Sequence, residues 1–125
     1  MLSLLNNVRM NIMERLSLHV KKDIALQAAG FDGEPGVLHK VGKRFIKVGD
    51  HYYMPAAMQE IVLLGASRKK NGTRVNVRTL YANVFEASLI RTGIDFLELA
   101  VNRAEEEEEL CLLVPLNKVI GVEML

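Results

Sequence analysis

Val37-Leu38-His39-Lys40-Val41-Gly42-Lys43-Arg44-Phe45-Ile46-Lys47-Val48 and Ser88-Leu89-Ile90-Arg91-Thr92-Gly93-Ile94-Asp95-Phe96-Leu97-Glu98-Leu99 decide how this chain is read, because they state one pattern twice. In each, a strand-like run reaches a turn glycine and continues as a second apolar run headed by Phe. Each then leads to an apolar-X-Pro step, Tyr53-Met54-Pro55 or Leu113-Val114-Pro115, and to a last apolar run at Ile61–Leu64 or Val119–Val122. Short apolar runs punctuated by glycine and proline predict β-strands, and their recurrence predicts a duplicated small all-β unit. Gly42 to Gly93 spans 51 residues and Pro55 to Pro115 spans 60, which places nine extra residues between the third and fourth strands of the second copy.

Working outward, Leu16, Leu18, Val20, Ile24 and Leu26 alternate with polar residues and predict a bent first strand with a slip near Lys22. Gly30, Gly33 and Gly36 with Pro35 form a turn region; they precede a strand rather than a helix, so they lack the helix N-terminus that would hold a phosphate. Strands two to five follow at Val37–Val41, Phe45–Val48, His51–Met54 and Ile61–Leu64, with one helical turn at 56–60. The second copy runs Arg74–Tyr81, Val84–Ile90, Asp95–Val101, Leu110–Val114 and Lys118–Met124. The predicted organisation is an N-terminal helix at 1–15, a first unit at 16–65, a basic connector at 66–73 and a second unit at 74–125.

In the N-terminal segment, Leu2, Leu5, Val8, Ile12 and Leu16 recur at spacings of three and four and predict an amphipathic α-helix over about residues 2–14. Arg9 alone supplies basic charge to its polar face, which argues for a helix that caps the β-structure, not one that lies on a membrane. The apolar run at Met1–Leu5 is too short for a signal core or a transmembrane span.

Of the 125 residues half are apolar and one quarter charged, the profile of a soluble globular protein, and the expected location is cytoplasmic. Sixteen Lys+Arg against 15 Asp+Glu give a net charge of +1 and no global pull on a polyanion. The single cysteine, Cys111, makes no internal disulfide; its neighbours Leu110, Leu112 and Leu113 mark it as a small buried hydrophobe. Units of about 60 residues bury too little surface to be comfortable alone, so the two copies are expected to lean on each other or on neighbours.

Two five-stranded units curved by glycines and preceded by a helix resemble the Sm-like fold, the small SH3-like barrel of Sm and LSm proteins. The residues that carry the resemblance are Gly36 to Val48 and Ala87 to Leu99 for the family's first motif, and Tyr53 to Leu64 and Leu112 to Val122 for its second. The resemblance implies a mainly β protein of two tandem small barrels. It also implies homo-oligomerisation through exposed edges of strands four and five, whose unpaired N–H and C=O groups seek a partner. The family's RNA-binding members carry Asp and Asn around the loop between strands two and three and Arg-Gly or Lys-Gly after strand four. This chain has Val41-Gly42-Lys43-Arg44-Phe45 and Thr92-Gly93-Ile94-Asp95-Phe96, then Pro55-Ala56 and Pro115-Leu116, so those base-reading residues are missing.

No constellation names a reaction. His19, His39 and His51 are scattered over strands without companion ligands and read as exposed strand residues; Ser67 and Ser88 lack a nucleophile elbow. The expectation is a non-enzyme without cofactor or metal. Lys40, Lys43, Arg44 and Lys47 cluster around the first turn, and Arg68, Lys69, Lys70 and Arg74 follow in and after the connector; both groups suit phosphates, or the Glu105–Glu109 loop of the other copy or of a neighbouring chain. Glu105, Glu106, Glu107, Glu108 and Glu109 must project into water. An oligomeric scaffold or adaptor is the first reading, with three chains closing a six-unit ring. A nucleic-acid binder using the basic patch is the second, and a small-molecule or peptide-binding barrel the third.

Overall fold

The computed structural model describes residues 6–66, 72–103 and 109–125. Among these residues one short helix, α1 (Ile12–Ser17), precedes eleven strands: β1 (Asp23–Ala28), β2 (Phe31–Asp32), β3 (Gly36–Val41), β4 (Ile46–Val48), β5 (His51–Tyr53), β6 (Glu60–Leu63), β7 (Thr73–Thr79), β8 (Val84–Thr92), β9 (Phe96–Val101), β10 (Leu110–Pro115) and β11 (Val119–Met124). They form one antiparallel sheet in the order β11-β7-β8-β9-β10-β6-β1-β3-β4-β5, with β2 hairpinned onto β1. The fold is mainly β, as expected. The sheet is open, however, and is not divided into two closed barrels, because β6 of the first half pairs with β10 of the second, Leu63 opposite Cys111 and Ile61 opposite Leu113. Single 3-10 turns at Pro55–Ala57 and Leu116–Lys118 carry the chain from the fourth strand of each half to the fifth, so these two strands do not pair with each other.

The two halves occupy separate, uninterrupted stretches of the sheet, and their registers correspond pair for pair. Leu38 opposite Val48, Lys40 opposite Lys47 and Val41 opposite Ile46 become, 51 residues on, Leu89 opposite Leu99, Arg91 opposite Glu98 and Thr92 opposite Leu97, with the same register shift in both. Ile46–Tyr53 becomes Leu97–Val114, and Leu26–Ile61 becomes Val77–Val122; strands four and five are thus displaced by 61. The insertion is therefore 61 − 51 = 10 residues, not nine. Pro55 is equivalent to Leu116 rather than to Pro115, since each opens its 3-10 turn.

The N-terminal region departs from expectation. Helix α1 begins only at Ile12, where Asn11 and Glu14 form a reciprocal capping box, and residues 6–11 run extended as a strap against β8. Val8 donates to the Thr92 carbonyl, Thr92 to that of Asn6 and Ile94 to that of Met10. Residues 16–22, expected as strand, hold the helix end and a turn; Leu16 is fully buried on α1, Leu18 is exposed and Lys21 takes a left-handed φ of 79°. His19 is the second correction, being 2% exposed rather than a surface strand residue. Its Nε2 lies 3.1 Å from the Asp23 carbonyl and 3.0 Å from that of Leu64, which requires Nε2 to carry the proton and donate to both.

Each half has an apolar core, and the two meet across the β6–β10 junction. Ile24, Leu26, Leu38, Ile46 and Ile61 form the first with Ile12 and Leu16 from α1, and Phe96 and Leu113 of the second half join them. Val75, Val77, Leu89, Leu99 and Leu112 form the second, with Val62 of the first half against it. This shared burial is how two units too small to stand apart become one stable body.

Candidate functional site

Three features distinguish the surface and the junction. The first is the turn between the second and third strands of each half, where equivalent residues have opposite fates. In the second half the strap lies on Thr92–Asp95, the Asp95 carboxylate accepts the Ile12 N–H at 2.7 Å, and Phe96 is fully buried. A Cβ at Gly93 would collide with the Phe96 ring and stand 2.6 Å from the Met10 carbonyl. In the first half, among the described residues, no strand lies on Val41 and Lys43 in this way. Phe45 is 48% exposed, and a Cβ at Gly42 would meet only the Phe45 carbonyl at 3.3 Å.

The open turn gathers the predicted Lys40, Lys43, Arg44 and Lys47 around a mostly apolar concavity of about 450 Å³, walled by Phe45 and Tyr52. The Lys47 ammonium stands 5.9 Å from the centre of the Tyr52 ring, within cation–π reach. Among the described residues no carboxylate lines this concavity. Arg74 belongs elsewhere: on β7 it pairs with Glu86 at 2.6 Å and donates to the Ser88 hydroxyl. Arg68, Lys69 and Lys70 lie outside the described residues, as do Glu105, Glu106, Glu107 and Glu108; Glu109 is exposed.

The second feature is a pair of buried carboxylates that the sequence pattern did not single out. Glu98, 2% exposed, receives Arg15 of α1 in a two-point contact, Nε to Oε1 at 2.8 Å and Nη2 to Oε2 at 3.1 Å, while Arg91 approaches Oε1 at 3.2 Å. Half-buried Cys111, expected as a plain buried hydrophobe, points its thiol at the same carboxylate from 3.5 Å. Burial, the largest influence, pushes the Glu98 pKa up, but the hydrogen bond and charge of Arg15 with the charge of Arg91 together hold it below the ordinary value. The Arg15 pKa is raised: burial opposes its charge, and Glu98 more than offsets that. At the β6–β10 junction Glu60, also 2% exposed, accepts from the Tyr81 hydroxyl at 2.8 Å and from Arg103 at 3.0 and 3.1 Å. Burial, then the Glu60 charge, pushes the Tyr81 hydroxyl pKa well up, so it stays a donor. One acid in Leu97-Glu98-Leu99 and one in Glu60-Ile61-Val62 were the only sequence signs of either cluster.

The third feature is the two ends of the sheet. Strand β5 presents Tyr52, 61% exposed, and β11 presents Ile120, 59% exposed, with half-exposed Met124. Among the described residues each has a neighbour on one side only. His39 and His51 are exposed as expected, and the described residues contain no group of three potential metal ligands. No described helix is long and apolar enough to cross a membrane. Comparison with protein-family models, with curated proteins and with solved structures finds no match to this chain.

Proposed function

We propose that this protein is a non-enzymatic scaffold whose chains join edge to edge, each chain contributing two small Sm-like units. The observation that carries the reading is the β6–β10 junction. It pairs the fifth strand of one unit with the fourth strand of the other, and the two strands left at the ends of the sheet, β11 and β5, are again a fifth and a fourth strand. A second copy of the chain is therefore the natural occupant of either edge, since it brings the complementary strand in the orientation already used internally.

Shifting the internal register by 61 gives the intermolecular one. Leu63–Cys111, Val62–Leu112 and Ile61–Leu113 correspond to Met124–Asp50, Glu123–His51 and Val122–Tyr52. The pairing sets an imidazole across from a carboxylate and buries the exposed Tyr52 ring against Val122, both favourable cross-strand combinations. It also satisfies the unpaired N–H and C=O groups of both edges. The contact is head-to-tail, so it closes a ring or runs on as a filament; three chains close a ring of six units.

Light scattering on a sizing column tests this reading, with an expected mass of three times the 14.0 kDa chain or a higher whole multiple. Tyr52→Asp and Met124→Asp are each expected to return the protein to one chain mass while leaving its circular dichroism unchanged. A wild type that elutes as a single chain at micromolar concentration overturns the proposal.

A further inference from the structure

We infer that the open turn of the first half, Val41–Phe45, is a docking site for an extended acidic segment of a partner protein. The argument starts from its occupied equivalent. In the second half the corresponding turn already holds a peptide, the chain's own strap, by backbone bonds that are indifferent to side chains: Thr92 and Ile94 donate to Asn6 and Met10, and Thr92 accepts from Val8. The 51-residue correspondence maps Thr92 and Ile94 onto Val41 and Lys43, in an identical local register. Both turns are closed by the same bond, Gly42 to the Phe45 carbonyl at 2.9 Å and Gly93 to that of Phe96 at 2.8 Å. Among the described residues the first half thus presents the same backbone edge without a strand on it, and an extended segment is what that edge accepts.

Side chains fix the charge of the occupant. Asp95 and Glu98, the two carboxylates that receive the strap and its helix through Ile12 N–H and the Arg15 guanidinium, are replaced in the first half by Arg44 and Lys47. Ile94 and Arg91 are replaced by Lys43 and Lys40. This inversion rejects the chain's own strap with its Arg9, and the Arg15 of the helix that follows it, and selects carboxylates at the matching places. Phe45 is 48% exposed, whereas its equivalent Phe96 is fully buried in the shared core, so Phe45 offers apolar surface that a docked segment would cover. The site lies within a single chain, so it stands whether or not chains assemble.

The test uses the full-length protein and a synthetic heptapeptide of residues 6–12 carrying Asn7→Asp, Arg9→Glu and Asn11→Asp, compared with the unsubstituted heptapeptide and with a ten-nucleotide oligothymidine. The expected result is binding of the acidic peptide about tenfold tighter than the unsubstituted one, with amide NMR shifts at Val41 and Lys43. That binding should be lost in the double variant Lys43→Glu, Arg44→Glu while its other amides keep their positions. Failure of the acidic peptide to bind, binding that ignores the double variant, or tighter binding of the oligothymidine with shifts confined to the Phe45 and Tyr52 region each overturns the proposal, the last in favour of single-stranded nucleic acid.

Discussion

At the residue scale, the duplication provides matched controls that most proteins lack. Gly93 and Gly42 hold equivalent positions, yet only Gly93 is roofed by the strap and the Phe96 ring. Gly93→Ala is expected to cost about 2 kcal/mol or more, because backbone and a buried ring must both shift, whereas Gly42→Ala should fall within about 1 kcal/mol of wild type; chemical denaturation of the two variants checks the contrast. Glu98 yields a second prediction, this one in pH. Its folded pKa lies below the ordinary 4.5, so its stabilisation is complete above that value and is lost as pH falls through the folded pKa. Glu98→Gln should therefore unfold at a lower temperature than wild type at pH 7, with the gap narrowing as the pH is brought down below the ordinary carboxylate range. A gap that stays constant would show that the carboxylate's charge is not what holds Arg15.

At the scale of elements, strands were legible because half-buried strands alternate, and most predicted strands fall within a residue or two of those observed. The exceptions have particular causes. Leu2, Leu5, Val8, Ile12 and Leu16 have helical spacing, but hydrogen bonding to Thr92 and Ile94 stretches residues 6–11 into a strap. The clues were Asn6, which takes a left-handed φ of 54°, and Asn11 with Glu14 three residues on, a capping signature that starts the helix late. His19 followed the apparent alternation from Leu16, but that alternation was the accident of a helix end followed by a turn. Glu60 and Glu98 were invisible because burial of a carboxylate depends on where distant arginines arrive: Arg103 for one, Arg15 and Arg91 for the other. Removing the cation tests this dependence. Arg103→Ala leaves Glu60 with Tyr81 alone and is expected to cost about 3 kcal/mol, while Tyr81→Phe should cost about 1.5–3 kcal/mol. Thermal unfolding of both variants is the check.

At the scale of the whole molecule, the internal strand junction and the proposed contact between chains differ in a way that predicts their strengths. The internal one carries Glu60 bound to Tyr81 and Arg103, while the position equivalent to Glu60 in the second half is Gly121, which offers no side chain. Contacts between chains are thus expected to rest chiefly on backbone pairing and apolar burial, with the exposed His51–Glu123 pair adding little, and to loosen on dilution before the fold does. Sizing at increasing dilution, with circular dichroism on the same samples, follows both. Dissociation that coincides with unfolding would show that the edges are integral to the fold of each chain.

The unbroken pairing of β6 with β10 also governs arithmetic. Two equivalent units travel in one polypeptide, joined through the β6–β10 pairing, so a closed circle of the proposed kind would contain an even number of them. Under that assembly, circles of five or seven units, open to a protein that supplies units singly, would be denied to this one. Unlike a circle of identical single units, such a circle alternates around its rim between an open basic turn and a strapped, acid-lined one, and its rotational symmetry is half its unit count.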